Sequence, residues 1–513
     1  MKTFYITTPL YYVNDRPHIG HTYTTVAADS LARWQRFCGK KVYFLTGTDE
    51  HGSKVEQAAA SFKKELPVFI QEMSEEFKSL WDFLGISNDD FIRTSEKRHT
   101  DIVQKVFHRL HEKGYIYKGT YSGLYCTPCE SFWTDSQLVN GLCPDCGRAV
   151  ESIAEESYFF KLSQFAQPLL DYYQQHPSFI SPAFRQLEIT NFINSGLKDL
   201  SVSRTRVSWG IPVPFDPQHT IYVWFDALLN YITAPGYLDK PGQFAGIWPA
   251  DVQLVGKEIF RFHTIIFPAI LLALELPLPS KVFAHGWWTV EGEKMSKSRG
   301  NVVDPRAVCR EFGIDALRYF LLRSVPFGTD GDFSLSLLNK RYNADLANEL
   351  GNLLSRSLTM IEKYSGGKIP KTPSPPPFTP LINTLAENME TAIRELAFHQ
   401  ALTEIWLVIK EANRYIDTTA PWNLAKQNDP RLPEALYNLG ETLRLIALAL
   451  YPFLPSTAEN IWRQLGCPEK LTEQTIDNLN WGQIKPEQKV AKSSSLFPRI
   501  NKVEIPSPSR GEG

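Results

Sequence analysis

Three groups of residues in this 513-residue chain have the types and spacing to do chemistry. The first is Pro17-His18-Ile19-Gly20-His21. Proline pre-sets the backbone of a first helical turn, and Gly20 lacks the side chain that would hold a ligand away from the backbone. His18 and His21, three apart on one helical face, can then donate hydrogen bonds to phosphate oxygens beside the positive end of the helix dipole. Alone, the pair reads more readily as capping or core histidines, and a zinc hydrolase would want His-Glu-x-x-His. The second group spans 292–301, where Lys294-Met295-Ser296-Lys297-Ser298-Arg299 forms a cationic loop suited to charge developing on a departing pyrophosphate. Alone, it reads as a solvated surface loop. The third is Cys126-x-x-Cys129 and Cys143-x-x-Cys146, separated by the 13 residues 130–142. Two such pairs supply four thiolates for tetrahedral zinc. With the coordination sphere full of sulfur no place remains for water or substrate, so the metal is expected to be structural. A thiol-redox function would want one reactive pair near a helix start.

These groups need elements to hold them. Phe4-Tyr5-Ile6-Thr7 reads as a strand, 21–37 as a helix and 41–46 as a second strand, a βαβ opening that implies a parallel sheet. Strand-like runs return at 221–225, 251–255 and 281–285, so the span 116–201, with its cysteine pairs, reads as an insertion. From about 335 the apolar spacing turns helical, over 344–364, 381–416 and 434–450. Six prolines in 370–380 make a stiff connecting loop inside that helical region. The expected fold is therefore α/β, a Rossmann-type nucleotide-binding sheet with an inserted zinc-knuckle domain, followed by an all-α C-terminal domain. The boundaries are 1–115 and 202–334 for the two halves of the sheet domain, 116–201 for the insertion, 335–500 for the helices and 501–513 for a disordered tail.

Composition narrows the class further. With 43% hydrophobic and 21% charged residues the chain is globular, neither disordered nor fibrous. Its longest uncharged apolar runs, 264–274 and 445–455, are half of the roughly 20 residues needed to span a bilayer, so no membrane role is expected. Residues 1–15 lack the pattern of a secretory signal, and a cytosolic location is expected. Net charge is −2, from 54 Lys+Arg against 56 Asp+Glu, so any nucleic-acid site must be local. The odd count of seven cysteines, four of them in the two pairs, suits a reducing compartment with metal rather than disulfides.

His18-Ile19-Gly20-His21 and Lys294-Met295-Ser296-Lys297-Ser298 together carry a resemblance to the class I aminoacyl-tRNA synthetases, whose signatures are these two strings around a Rossmann-type domain. Thr7-Thr8-Pro9-Leu10-Tyr11-Tyr12-Val13-Asn14, Gly47-Thr48-Asp49-Glu50-His51-Gly52, Tyr222-Val223-Trp224-Phe225-Asp226-Ala227 and His285-Gly286-Trp287-Trp288 are similar to the methionine-specific members, nearly end to end. The resemblance implies that His18, His21, Lys294 and Lys297 are catalytic, and that Gly20, Met295, Ser296 and Ser298 join them around ATP with Mg²⁺. It implies a methionine pocket of Leu10, Tyr12, Asp49, Trp224, Ala227, Tyr231, Phe262 and His263, with Phe267 where several members carry a second tryptophan. A carboxylate such as Asp49 can hold the substrate ammonium, and aromatic walls suit a polarizable thioether. A hydroxyl from Tyr12 or an N–H from His263 would favour sulfur over a methylene only modestly.

The resemblance also assigns Asn348, Asn352, Arg356, Pro421 and Trp422 to reading the methionine anticodon. Amides at four-residue steps beside an aromatic platform suit splayed single-stranded bases, although alone they read as a solvated helix face and a core tryptophan. The implied reaction activates L-methionine with ATP and transfers it to the terminal 2′-hydroxyl of tRNA(Met), initiator and elongator. Leucine, isoleucine and valine members carry an editing insertion on the order of 200 residues by family pattern, and 116–201 is under half of that. In the cysteine-specific member zinc sits in the substrate pocket, whereas these four thiolates saturate their own metal. A binding-only protein of the same fold would have no need of the two lysines. The chain ends at Gly513 without room for a C-terminal dimerisation module, so a monomer is expected.

Overall fold

A computed structural model describes residues 2–126, 131–133, 137–144, 146–295, 301–371 and 374–501, with 121–122, 131–132, 153–155 and 294 described in backbone only. The expected tail thus lies almost wholly outside the described residues. The chain divides into two compact units, Met1–Pro17 with Val42–His285, and His18–Lys41 with Gly286–Gly513.

The first unit is built on a seven-stranded sheet paired in parallel throughout. Its order is Tyr11–Tyr12, Val42–Asp49, Phe4–Thr7, Val252–Gly256, Val282–His285, Ile180–Ser181, with Asp90–Arg93 also beside Val42–Asp49. The apolar run Val42–Asp49 is buried at seven of its eight positions, as a strand covered on both faces must be. The chain passes from Phe4–Thr7 to Val42–Asp49 on one side, and Val252–Gly256 is added on the other. That reversal is the topological switch point of a Rossmann-type sheet, with its crevice at the carboxyl ends of the strands.

A separate antiparallel sheet consists of Ser131–Trp133, Ile116–Cys126, Glu151–Phe160 and Leu200–Ser201, with Cys126 closing its second strand. Ile180–Ser181 lies within the span read as inserted, yet it pairs with Val282–Phe283 and extends the main sheet. The run 221–225 is not a strand: Asp216–Ile221 is, and the chain then enters a helix at Val223–Leu228. A short apolar run has no period that separates a strand from a buried helical turn.

The second unit is mainly helical. Phe398–Thr419 buries Ala401, Leu402, Ile405, Ile409, Ala412 and Ile416 at three- and four-residue steps, and Leu432–Leu450 is enclosed almost all round. The run 381–416 is two helices, Thr379–Arg394 and Phe398–Thr419, because Leu396 turns the chain through a left-handed conformation at φ 56°. Pro380 sits in the first turn of the earlier helix, where its missing N–H does no harm. The helix Ile19–Phe37 belongs to this unit and is bolted into it. Asp29 accepts from Arg33 at 2.8 Å and Arg318 at 2.7 Å, Arg318 donates to the Phe453 carbonyl at 2.7 Å, and Trp34 donates to Glu390 at 2.7 Å. Buried charge is tolerated only when paired in this way. Among the described residues no helix is long and apolar enough to cross a membrane.

Candidate functional site

The histidine pair caps its own helix. His18 Nδ1 accepts the Gly20 N–H at 3.1 Å, and His21 Nδ1 accepts the His18 N–H at 3.1 Å. This is a reciprocal capping box with imidazoles in the places usually taken by a hydroxyl and a carboxylate. A nitrogen that accepts carries no proton, so each neutral ring bears its N–H at Nε2, on the edge away from the backbone. The rings stack with centroids 3.9 Å apart. Desolvation, with a smaller contribution from His18, holds His21 well below the ordinary imidazole range, so it stays neutral. Capping is what fixes the tautomer of both rings.

The lysine loop starts from a hairpin in the same unit. Trp288–Val290 pairs antiparallel with Glu293–Lys294 across a two-residue turn in which Glu291 and Gly292 have φ of 52° and 79°. Both positive angles match the twist of the flanking strands. Asp332 fastens the turn, accepting from Thr289 Oγ1 at 2.6 Å and from the Gly292 N–H at 2.7 Å. Beyond it, Met295 Cε lies 3.7 Å from where a Cβ on Gly20 would stand. Ile19 N–H donates to the Val303 carbonyl at 3.2 Å. The segments on either side of 296–300 are thus brought to the start of the histidine helix. Ser296, Lys297 and Ser298 lie outside the described residues, as does the side chain of Lys294.

The expected methionine-pocket residues lie in the first unit, following the carboxyl ends of its strands or on the helices beyond. Leu10, Tyr12, Trp224 and Phe262 pack against one core that includes Ala227's helix neighbour Leu228 and Tyr231. Asp49 ends its strand almost fully buried, and Ala227 is buried as well. Trp224 stacks on Phe262 with centroids 3.9 Å apart. Tyr231 Oη is 2.8 Å from His263 Nε2, and His263 Nδ1 is 2.9 Å from the Ile259 carbonyl. A carbonyl only accepts, so Nδ1 carries the proton and Nε2 takes the Tyr231 hydroxyl. Burial pushes His263 down to about 4, which keeps the ring neutral. The expected His263 N–H toward sulfur is therefore already spent on Ile259. Likewise the Tyr12 hydroxyl donates to the His51 carbonyl at 2.8 Å. Phe267 packs 5.4 Å from the Tyr231 ring.

Of the four paired cysteines, Cys126, Cys143 and Cys146 converge with their sulfurs within 4.8 Å of one another, and Cys126 and Cys146 are 3.5 Å apart. Thiolates at about 2.3 Å from a tetrahedral ion stand roughly 3.8 Å apart, so this donor set fits zinc. Cys126 and Cys143 are buried with Trp133 in a small core of their own. Cys129 lies outside the described residues.

The candidate base-reading residues fall on consecutive helical segments and on a short helix that follows later in the chain. Asn348 falls in the π-helical stretch Tyr342–Gly351, while Asn352 and Arg356 belong to the α-helix Asn352–Ser365. Asn348 accepts from Arg499 at 2.6 and 3.0 Å. Arg356 pairs with Asp417 at 2.7 Å and lies 5.9 Å over the Trp422 ring, a cation–π arrangement beside the exposed Asn352. Pro421 is buried in the first turn of its helix.

The chain matches the family described as tRNA synthetases class I (M) over residues 4–152 and 149–358. The chain belongs to that family. Residues 380–503 match the anticodon-binding domain of tRNA ligases, so the two matches fall on either side of most of the proline-rich loop. Similar relatives include the methionine–tRNA ligase of Caldanaerobacter subterraneus subsp. tengcongensis, 54% identical over 98% of this chain and 79% of the relative. That of Thermotoga maritima is 46% identical over 97% and 80%. Among solved structures, Mycobacterium tuberculosis methionyl-tRNA synthetase bound by methionyl-adenylate aligns with a TM-score of 0.92 at 39% identity, covering 97% of this chain and all of that one.

One buried cluster has no signature in the sequence. His51 and Asp226 stood inside stretches similar to the class I (M) family without a role, and His99 carried no signal at all. Asp226 Oδ2 is 2.7 Å from His51 Nδ1, and Oδ1 is 2.7 Å from His99 Nε2. A lone histidine in an amphipathic helical run, such as His99, is indistinguishable by pattern from a core residue.

Proposed function

We propose that this chain activates L-methionine with ATP and esterifies tRNA(Met), initiator and elongator, with the product. The observation that carries the reading is the imidazole capping box meeting the flanks of the lysine loop within one compact unit. The methionine carboxylate is already an anion, so its attack on the α-phosphorus needs alignment and charge stabilisation rather than a general base. An oxygen–phosphorus bond forms, the bond to the β-phosphate bridging oxygen breaks, and pyrophosphate leaves. The Nε2–H groups of His18 and His21 donate to phosphate oxygens as charge develops there, with Gly20 letting the nucleotide close. Lys294 and Lys297, with Met295, Ser296 and Ser298 in the same loop, hold the departing pyrophosphate. Mg²⁺ accompanying ATP would offset its charge. Asp49 takes the substrate ammonium, and Leu10, Tyr12, Trp224, Ala227, Tyr231, Phe262 and His263 enclose the side chain. Because no N–H of neutral His263 is left for sulfur, selectivity rests on shape and dispersion against the stacked Trp224 and Phe262.

The 2′-hydroxyl of the terminal adenosine then attacks the adenylate carbonyl and AMP departs. Asn352, Arg356 and Trp422 read the anticodon, with Asn348 and Pro421 supporting them. Cys126, Cys143 and Cys146, with Cys129 as fourth ligand, hold one structural Zn²⁺ that orders the antiparallel insertion. The reading includes a cytoplasmic monomer organised as 1–115 and 202–334, 116–201 and 335–500. ATP–pyrophosphate exchange run across the twenty amino acids is expected to respond to methionine alone, and a response to another amino acid would overturn the assignment. Elemental analysis after reducing purification should give one zinc per chain. Gel filtration should give a mass near 58.5 kDa.

A further inference from the structure

We infer that Asp226 and His99 are positioning residues for the amino-acid site, acting through His51 to hold in register the elements that bear Asp49, Trp224, Ala227 and Tyr231. The inference rests on the methionine-pocket reading above and adds residues that touch none of the substrate.

Asp226 is fully buried in the helix Val223–Leu228, between Trp224 and Ala227. Its two oxygens are used separately, each at 2.7 Å from a different imidazole. A carboxylate only accepts, so His51 must present its proton at Nδ1 and His99 at Nε2. His51 sits in the turn just after Asp49, and its carbonyl in turn receives the Tyr12 hydroxyl. His99 is buried on the helix Lys97–Glu112, and its Nδ1 lies 2.8 Å from Thr233 Oγ1, on the short helix that also carries Tyr231. One chain of hydrogen bonds therefore runs from the Asp49 turn through the Trp224 helix and the Lys97–Glu112 helix to the Tyr231 helix. The turn has further ties: the Glu50 N–H donates to Thr94 Oγ1 at 2.9 Å, and Trp209 donates to the Glu50 carbonyl at 2.6 Å. Desolvation would raise the Asp226 carboxyl, but His51 and His99 outweigh it and hold the group below its usual range, so it remains an ion. A pocket that holds its ligand by shape loses contacts to that ligand when its walls shift, so a loss of register shows first in methionine binding.

Asp226→Asn keeps the size but turns one acceptor into a donor, so one imidazole must flip or change tautomer. In ATP–pyrophosphate exchange it is expected to raise KM for methionine about 10- to 100-fold, the range for losing a charge-assisted hydrogen bond. KM for ATP and kcat at saturating methionine should stay within about threefold, a split that general loss of stability would not produce. Asp49→Asn is run beside it. If Asp49→Asn raises KM for methionine and Asp226→Asn does not, the positioning role is overturned while the pocket stands. If neither moves it, the pocket reading falls too. Should Asp226→Asn not fold, Thr233→Val removes only the outermost link and is expected to raise KM for methionine severalfold, with an unchanged KM overturning the chain. In the wild-type protein, ¹⁵N spectra of labelled histidines should show protonated Nδ1 at His51 and protonated Nε2 at His99; an unprotonated Nδ1 at His51 overturns the proposal without any variant.

Discussion

Gly20→Ala separates helix stability from phosphate chemistry, because the two should respond differently. A Cβ at position 20 would lie 2.9 Å from His18 Cε1 and 3.1 Å from its Nδ1, against ordinary contacts of 3.4 Å or more. The ring must therefore retreat by roughly half an ångström to one ångström, and it loses its hold on the residue-20 N–H. Losing a cap of this kind costs about 1 kcal/mol, while alanine in place of glycine in a helix returns about 0.5–1 kcal/mol. The two nearly cancel, and the melting temperature should change by less than about 2 °C. The chemistry has no such compensation. A donor displaced by about 1 Å forfeits up to roughly 10²-fold, so kcat/KM for methionine-dependent ATP–pyrophosphate exchange should fall about 10- to 100-fold. Stopped-flow adenylation and a thermal melt on the same preparation read both numbers. Adenylation within threefold of wild type would refute the assignment of His18 to the phosphates, and a large loss of stability would refute the cancellation.

Other expectations concern separate parts of the molecule. Trp422→Ala should leave pyrophosphate exchange within about twofold but lower tRNA charging about 10-fold or more, the scale of one lost base stack; equal losses would mean misfolding instead. Glu441, fully buried, accepts from Arg444 at 2.7 and 2.8 Å and from the backbone N–H groups of Gly482, Gln483 and Ile484, so it pins the C-terminal segment to the Leu432–Leu450 helix. Glu441→Gln leaves the Arg444 charge buried and unmatched, which should cost about 3–5 kcal/mol, read as faster hydrogen exchange at 482–484 and a lower urea midpoint. His263, held at about 4 against an ordinary 6.5, resists protonation in the folded state. Below pH 6.5 the unfolded chain binds a proton that the folded one does not, so stability is lost as pH falls from 6.5 toward 4, by at most about 3 kcal/mol. His263→Gln should flatten the urea midpoint over that window, and an unchanged slope would contradict the neutral ring.

What the sequence determined by itself was local or repetitive. The strand Phe4–Thr7, the helix after His18 and the helical periodicity beyond 335 follow from side-chain alternation and apolar spacing, which chain neighbours decide. The two short signatures and the paired cysteines were legible because their chemistry demands particular residue types at fixed intervals. Tertiary structure alone decided the rest. It turned 223–228 into a helix and used Ile180–Ser181 to extend the main sheet. It also made Tyr342–Gly351, the segment that bears Asn348, a π-helical stretch rather than an α-helix. It settled protonation as well: which nitrogen of His18, His21 or His263 carries the proton depends on what lies 3 Å away, not on adjacent letters. The meeting of His51, Asp226 and His99 is the clearest case, since partners 127 and 175 residues apart share one carboxylate only after the sheet has formed.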